Sequence, residues 1–212
     1  GLYFSVELFA LTGYIDHLDD TKFEPLWEAV RDLEISVWWY LDARRRDRVA
    51  SFMQYIAEVD RWAEAHADVP TVLTHGLVPS TIIHEIGVPH EVMSPLKRPN
   101  VHAEVLMPAK WPEYPFAEGQ EMLRQWRDEV GVEKLMWGSD MPYCGGSWCT
   151  YRQAVDYIRL HCDFLSQQEK DLIPGGTVAD LLGVNHTDST QARSHPPPGR
   201  AWRRRAECAT HH

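Results

Sequence analysis

Five short apolar runs, each followed by a stretch of helical periodicity, limit what this chain can fold into. Residues 1–8 (with Tyr3, Phe4 and Val6), 35–41, 72–74, 101–106 and 135–137 are rich in β-branched and aromatic residues. Strands that are apolar throughout, rather than alternating, are buried on both faces. Helical patterns lie between them. In residues 46–66, Val49, Phe52, Met53, Ile56, Val59, Trp62 and Ala63 fall on one face. Shorter helices are predicted over 23–33, 118–130 and 151–164. Another covers 166–172, where Ser166 and Glu169 have the spacing of a capping box. Alternating β and α segments imply a parallel sheet packed against helices. No Gly-rich phosphate fingerprint follows any strand, so a dinucleotide-binding domain is not expected.

The chemistry concentrates at strand ends. Leu135-Met136-Trp137-Gly138-Ser139-Asp140-Met141-Pro142 is a strand that stops at Gly-Ser and delivers one carboxylate. Val72-Leu73-Thr74-His75-Gly76 is a second strand, ending in a histidine with a glycine that frees the backbone after it. A turn or capping aspartate is the plain alternative for Asp140. A partly buried, hydrogen-bonded histidine is the plain alternative for His75. If functional, the two would serve as an acid–base pair or meet at a metal. Glu104 sits between Ala103 and Val105, where a charge is expensive unless paired. Either it faces the site or the strand is misplaced by one residue. Tyr40, at the end of the second run, reads as a core aromatic or a substrate contact. Tyr143 opens a loop reaching Cys149 through Gly145 and Gly146, which would overhang the site and gate it.

The 212 residues are 44% hydrophobic and 25% charged, with net charge −10. Beyond Asn185 five Arg outnumber two acidic residues, so residues 1–185 carry a net −13, an acidic body that argues against nucleic acid as a partner. No apolar run approaches the length of a membrane span. The four cysteines (144, 149, 162 and 208) form neither a paired framework nor zinc-finger spacing, which fits reduced thiols in a cytoplasmic protein. Residues 185–212, with Ser-His-Pro-Pro-Pro-Gly and Arg-Arg-Arg, lack apolar periodicity and are expected to be a disordered tail after a domain of residues 1–184.

Four segments carry a family resemblance: residues 23–40, Val69 to Gly76, Leu135 to Pro142, and Leu172 to Gly183. In the last, Thr177 stands where the family usually has Asn. Together they resemble the C-terminal part of the amidohydrolase-related family of metal-dependent TIM-barrel hydrolases and decarboxylases. The resemblance implies an α/β fold, a partial (β/α)8 barrel of about five C-terminal units, strands four to eight. It implies a small organic substrate, with hydrolysis of a C–N or C–O bond or decarboxylation as the reaction. His75 and Asp140 would be catalytic, Tyr40, Glu104 and Tyr143 would contact substrate, and Asp140 with Asp42 would hold zinc or manganese in the full-length parent. The family's His-x-His motif does not occur in this sequence, and Tyr40 stands at a position where a ligating histidine is usual. A non-catalytic, barrel-derived interaction domain is therefore the alternative. An incomplete barrel would also expose sheet edges and apolar side chains such as Trp38, Val72 or Met136, giving possible self-association.

Overall fold

Each apolar run becomes a strand, and all five pair in parallel. The strands are β1 (Leu2–Ser5), β2 (Val37–Tyr40), β3 (Thr71–Thr74), β4 (Val101–Val105) and β5 (Leu135–Trp137). The structure is a computed structural model that describes residues 1–6, 17–41, 47–74, 77–78, 80–105, 113–140 and 149–184. Sheet order follows chain order, β1-β2-β3-β4-β5. Parallel crossovers are right-handed almost without exception. A sheet wound strictly in sequence therefore carries its helices on one face and keeps the other inside, as in a barrel. A doubly wound sheet reverses its order instead.

The helices are α1 (Glu24–Asp32), α2 (Arg48–Ala65), α3 (Ser80–Ile86), α4 (Met93–Leu96), α5 (Ala117–Val130), α6 (Tyr151–Asp156), α7 (Gln167–Asp171) and α8 (Thr177–Leu181). Their starts are chemically defined. Asp47 accepts from Ala50 N at 3.3 Å to open α2. Thr150 with Gln153 forms a capping box on α6, and Ser166 with Glu169 forms the expected one on α7. Hydrogen bonds from Ser166 hold the Glu169 carboxyl below its ordinary pKa. The stretch expected as one helix over 151–164 is α6 running into a π-helical turn, Tyr157–His161. The 80–96 region gave no helical expectation, because Pro79, Gly87, Pro89 and Pro95 interrupt its pattern.

Register sorts the side chains by face. Phe4, Trp39, Leu73, Ala103 and Leu135 share one level and point to the helices. Behind them Trp39, Trp27 of α1 and Trp62 of α2 form a buried triad. Ring centroids lie 5.0 Å apart for Trp27–Trp62, 5.1 Å for Trp39–Trp62 and 6.1 Å for Trp27–Trp39, all edge-on. Edge-to-face pairs contribute about 0.5–1.5 kcal/mol each beyond area burial. His66 caps this cluster, 4.8 Å from Trp62, and Arg31 Nη1 donates to its Nδ1 at 3.0 Å. Burial, with the Arg31 cation beside it, lowers the His66 pKa.

Tyr3, Trp38, Val72 and His102 share the next level, on the opposite face. The expected apolar exposure there is not found. Val72 is 0% and Met136 2% exposed, and Trp38 is half-buried with its Nε1 bonded to Ser36 Oγ at 2.9 Å. Exposure falls instead on Tyr3, 58% exposed. It lies on the edge strand β1, which has a strand neighbour on one side only. Residues 185–212, expected as a disordered tail, lie outside the described residues. No helix among the described residues is long and apolar enough to cross a membrane.

Candidate functional site at the strand ends

Because all five strands run the same way, their C-termini form one rim. Ser5 pairs with Tyr40, Tyr40 with Thr74, and Glu104 with Met136, while Leu73 pairs with Ala103, so Thr74 stands beside Glu104. These residues make one polar level on the face away from the helices. Parity decides this: Trp137, on the other face, donates Nε1 to Ala154 O of α6 at 3.0 Å. Glu104, between Val101 and the strand end, is therefore a correctly placed strand residue that faces inward.

The Glu104 carboxylate is held from both sides. Thr74 Oγ1 donates to Glu104 Oε2 at 2.6 Å. On the β5 side the carboxylate lies over Gly138. A Cβ built there would stand 1.7 Å from Glu104 Oε1, closer than any real contact. Gly138 thus leaves the space that Glu104 occupies. Two residues on, Asp140 is half-buried with φ +50°. That left-handed conformation is one of the few that Asp adopts more readily than most residues, and strain of this kind is common at functional sites.

Tyr40 ends β2 with its ring stacked on Tyr3, centroids 6.0 Å apart at 26°. Below the rim, on the same face as Glu104, His102 is half-buried with Nδ1 buried and without a hydrogen-bond partner among the described residues. Burial first, and then the Lys134 cation, lowers its pKa. Lys134 donates to Arg98 O at 2.7 Å and to Pro99 O at 2.8 Å, and burial lowers its pKa too.

The described residues thus bring together Glu104, Asp140 and Tyr40 at one rim. His75, Asp42 and Tyr143 lie outside the described residues; Thr74, just before His75, is the last residue of β3 and ends at this same rim. Sequence reasoning missed Thr74 and Gly138. The available signals were a hydroxyl at a strand end and a glycine after a strand, both of which also read as ordinary turn chemistry.

A catalytic zinc takes three protein ligands, mostly nitrogen or sulfur. The described rim offers carboxylate oxygens from Asp140 and Glu104, the latter already accepting from Thr74, and so does not complete such a set. A second group, His17, Asp19 and Glu58, has ligand atoms within 4.8 Å of one another. There Arg61 supplies the cation: it donates Nε to Asp19 at 3.2 Å and Nη2 to His17 at 2.7 Å, and pairs with Glu58.

A singly wound parallel sheet with its polar level at the strand C-termini is the architecture of the (β/α)-barrel class. Within that class the chain belongs to the amidohydrolase family, whose model matches residues 6–184. No curated protein matches it. Among solved structures it is similar to a probable 2-pyrone-4,6-dicarboxylic acid hydrolase from Acinetobacter baumannii with citric acid bound. The identity is 18% and the TM-score 0.62, over 86% of this chain and 64% of that one. It is also similar to an amidohydrolase from Burkholderia multivorans with bound zinc, at 17% identity and TM-score 0.60, over 79% and 59%. A third is 4-oxalomesaconate hydratase from Rhodopseudomonas palustris, at 15% and 0.50, over 86% and 55%. At these identities the likeness is one of fold. The chain spans between about half and two thirds of the length of the structures it resembles.

Proposed function

We propose that this chain, as a domain of residues 1–184, carries the strand-end site of a hydrolase or decarboxylase acting on a small organic substrate. Asp140 carries this reading, a carboxylate held at φ +50° beyond the last strand of a parallel barrel sheet. In the hydrolytic version the bond broken is C–N or C–O. Asp140 takes a proton from the attacking water, and His75 stabilises the oxyanion that develops on the carbonyl oxygen. Glu104, Tyr40 and Tyr143 orient the substrate. Decarboxylation of an aromatic or unsaturated acid is the other reaction the family likeness favours.

A second reading, a non-catalytic domain acting through association, is favoured by one observation: the sequence lacks His-x-His and has Tyr40 at a usual histidine position. One experiment separates the two. The complete natural protein is assayed on ester, lactone and aromatic-acid substrates, with and without added zinc or manganese. Turnover that Asp140→Asn abolishes supports the enzyme. A protein that binds no metal, turns over nothing and sediments with a partner or a second copy supports the other.

A further inference from the structure

We infer that Arg31 is the moving part of an acid-driven exchange of ion partners at the N-terminal end of the sheet: when His66 takes up a proton, the Arg31 guanidinium leaves His66 and Glu24 for Glu34 and Asp68. The inference goes beyond the proposed function and does not depend on it. These residues lie at the opposite end of the strands from the rim, where Ile35 precedes β2 and Val69 and Pro70 lead into β3.

Donors and acceptors fix the resting arrangement. Arg31 Nη1 lies 3.0 Å from His66 Nδ1. A guanidinium has no acceptor, so Nδ1 offers its lone pair and the imidazole is neutral, with its proton on Nε2. Arg31 Nη2 pairs with Glu24. His66 is anchored. It is 5% exposed, with its ring 4.8 Å from that of Trp62 and 5.7 Å from that of Trp27. Its backbone N donates to Trp62 O at 3.0 Å, and Asn100 Nδ2 donates to its O at 3.1 Å. Arg31 has room to move. It lines a cleft of about 290 Å³ whose other polar members are Glu34 and Asp68. Both of these carboxylates are exposed, and among the described residues neither has a hydrogen bond or ion pair of its own.

Protonation reverses the logic. An Nδ1–H then faces an Arg31 N–H, donor to donor and cation to cation, where burial already makes a charged imidazole costly. The charged groups that act on His66 come from three places: Arg31 and Glu24 from α1, Asp68 from the turn before β3, and Asp19 from the segment before α1. Burial and then the Arg31 cation oppose the proton, while Glu24, Asp68 and Asp19 favour it. The C-terminus of α2, which His66 caps, favours it as well. Arg31 is the one cation in this set. In the cleft it meets Asp68, whose charge already reaches it, and Glu34, three residues further along the chain. Glu24 stays behind as counter-charge to the imidazolium. Each cation has a carboxylate beside it after the exchange, so no bare charge is left in the fold.

NMR tests this on the complete natural protein, labelled in histidine and arginine. It is titrated from about pH 8 to about pH 5, a range that covers histidine and stops short of ordinary carboxylates. The His66 ring and the Arg31 Nε–H are followed together, assigned by His66→Gln and Arg31→Lys. The expected result is that both signals move with one midpoint, below the ordinary histidine value of about 6.5. Glu34→Gln with Asp68→Asn takes away the place to which Arg31 moves; the His66 midpoint should fall and the Arg31 response should be lost. Arg31→Met should raise the His66 midpoint. In that background the two carboxylate changes should shift the midpoint less than in the unaltered sequence, because they act through Arg31. An Arg31 signal that stays still while His66 titrates overturns the inference. So does an Arg31 response that survives the loss of both carboxylates, an equal effect of those carboxylates with and without Arg31, or a His66 ring that does not titrate in this range.

Discussion

Thr74 and Glu104 are thirty positions apart, and a 2.6 Å hydrogen bond from the Thr74 hydroxyl to Glu104 Oε2 joins the ends of β3 and β4. The bond does two jobs. It satisfies a charge in the middle of an apolar strand, and it aims that charge at the rim.

The clamp around Glu104 is expected to be energetically coupled. Thr74→Val removes a donor to a charged acceptor, which costs about 1.5–3 kcal/mol when buried and less at this half-buried carboxylate. Gly138→Ala forces the Glu104 side chain out of place, with an overpacking cost of about 1–3 kcal/mol. Combined with Glu104→Ala, the Gly138→Ala change should become nearly neutral, because its obstacle is gone. A double-mutant cycle by urea unfolding measures this. Additive losses would mean that the two side chains do not share the space described.

Asp140 should separate activity from stability. Asn tolerates the left-handed region as Asp does. Asp140→Asn is therefore expected to unfold within about 0.5 kcal/mol of the unaltered protein while abolishing turnover. Asp140→Gly relieves strain and should be neutral or stabilising. A stability loss above about 2 kcal/mol in Asp140→Asn would recast the residue as structural.

The legible part of this molecule was its local part. Strand identity, helix faces and the Ser166–Glu169 capping box each follow from residues a few positions apart, and each was readable. The Glu104 environment was not, because Thr74 and Gly138 come from the two neighbouring strands and only register brings them together. A mid-strand glutamate raised the right question, inward or misassigned, without answering it. His66 and His102 were missed for a related reason. A histidine's burial is set by what packs over it, Trp27 and Trp62 in one case and the strand pairing in the other. His75, Asp42 and Tyr143 stay as the sequence proposed them.

Those two histidines make acid stability a measurable consequence. Both have pKa values lowered in the fold, with burial the largest cause. Above the ordinary histidine value of about 6.5, both are neutral in the folded and unfolded states, and no penalty applies. As pH falls below that value, the unfolded chain takes up protons first, so stability declines until the folded pKa values are passed and then levels off. Urea midpoints should therefore rise from pH 5 to pH 7. His66→Gln and His102→Gln together should flatten that rise, and an unchanged slope in the double variant would assign it to other groups.

The aromatic triad supplies the last expectation. Trp62 is fully buried between Trp27, Trp39 and His66, and its Nε1 has no hydrogen-bond partner among the described residues. Truncation to alanine leaves a large cavity and should cost about 3–5 kcal/mol. Trp62→Phe keeps one ring for the edge-on contacts and also removes the unsatisfied donor. The gain from that removal offsets part of the lost volume, since an unpaired buried donor costs about 1–3 kcal/mol. Trp62→Phe is thus expected to lose less than about 2 kcal/mol, measured by thermal or urea unfolding with far-UV circular dichroism as the probe. Equal losses for Phe and Ala would show that the indole N–H is satisfied, or that the second ring of the indole carries the packing.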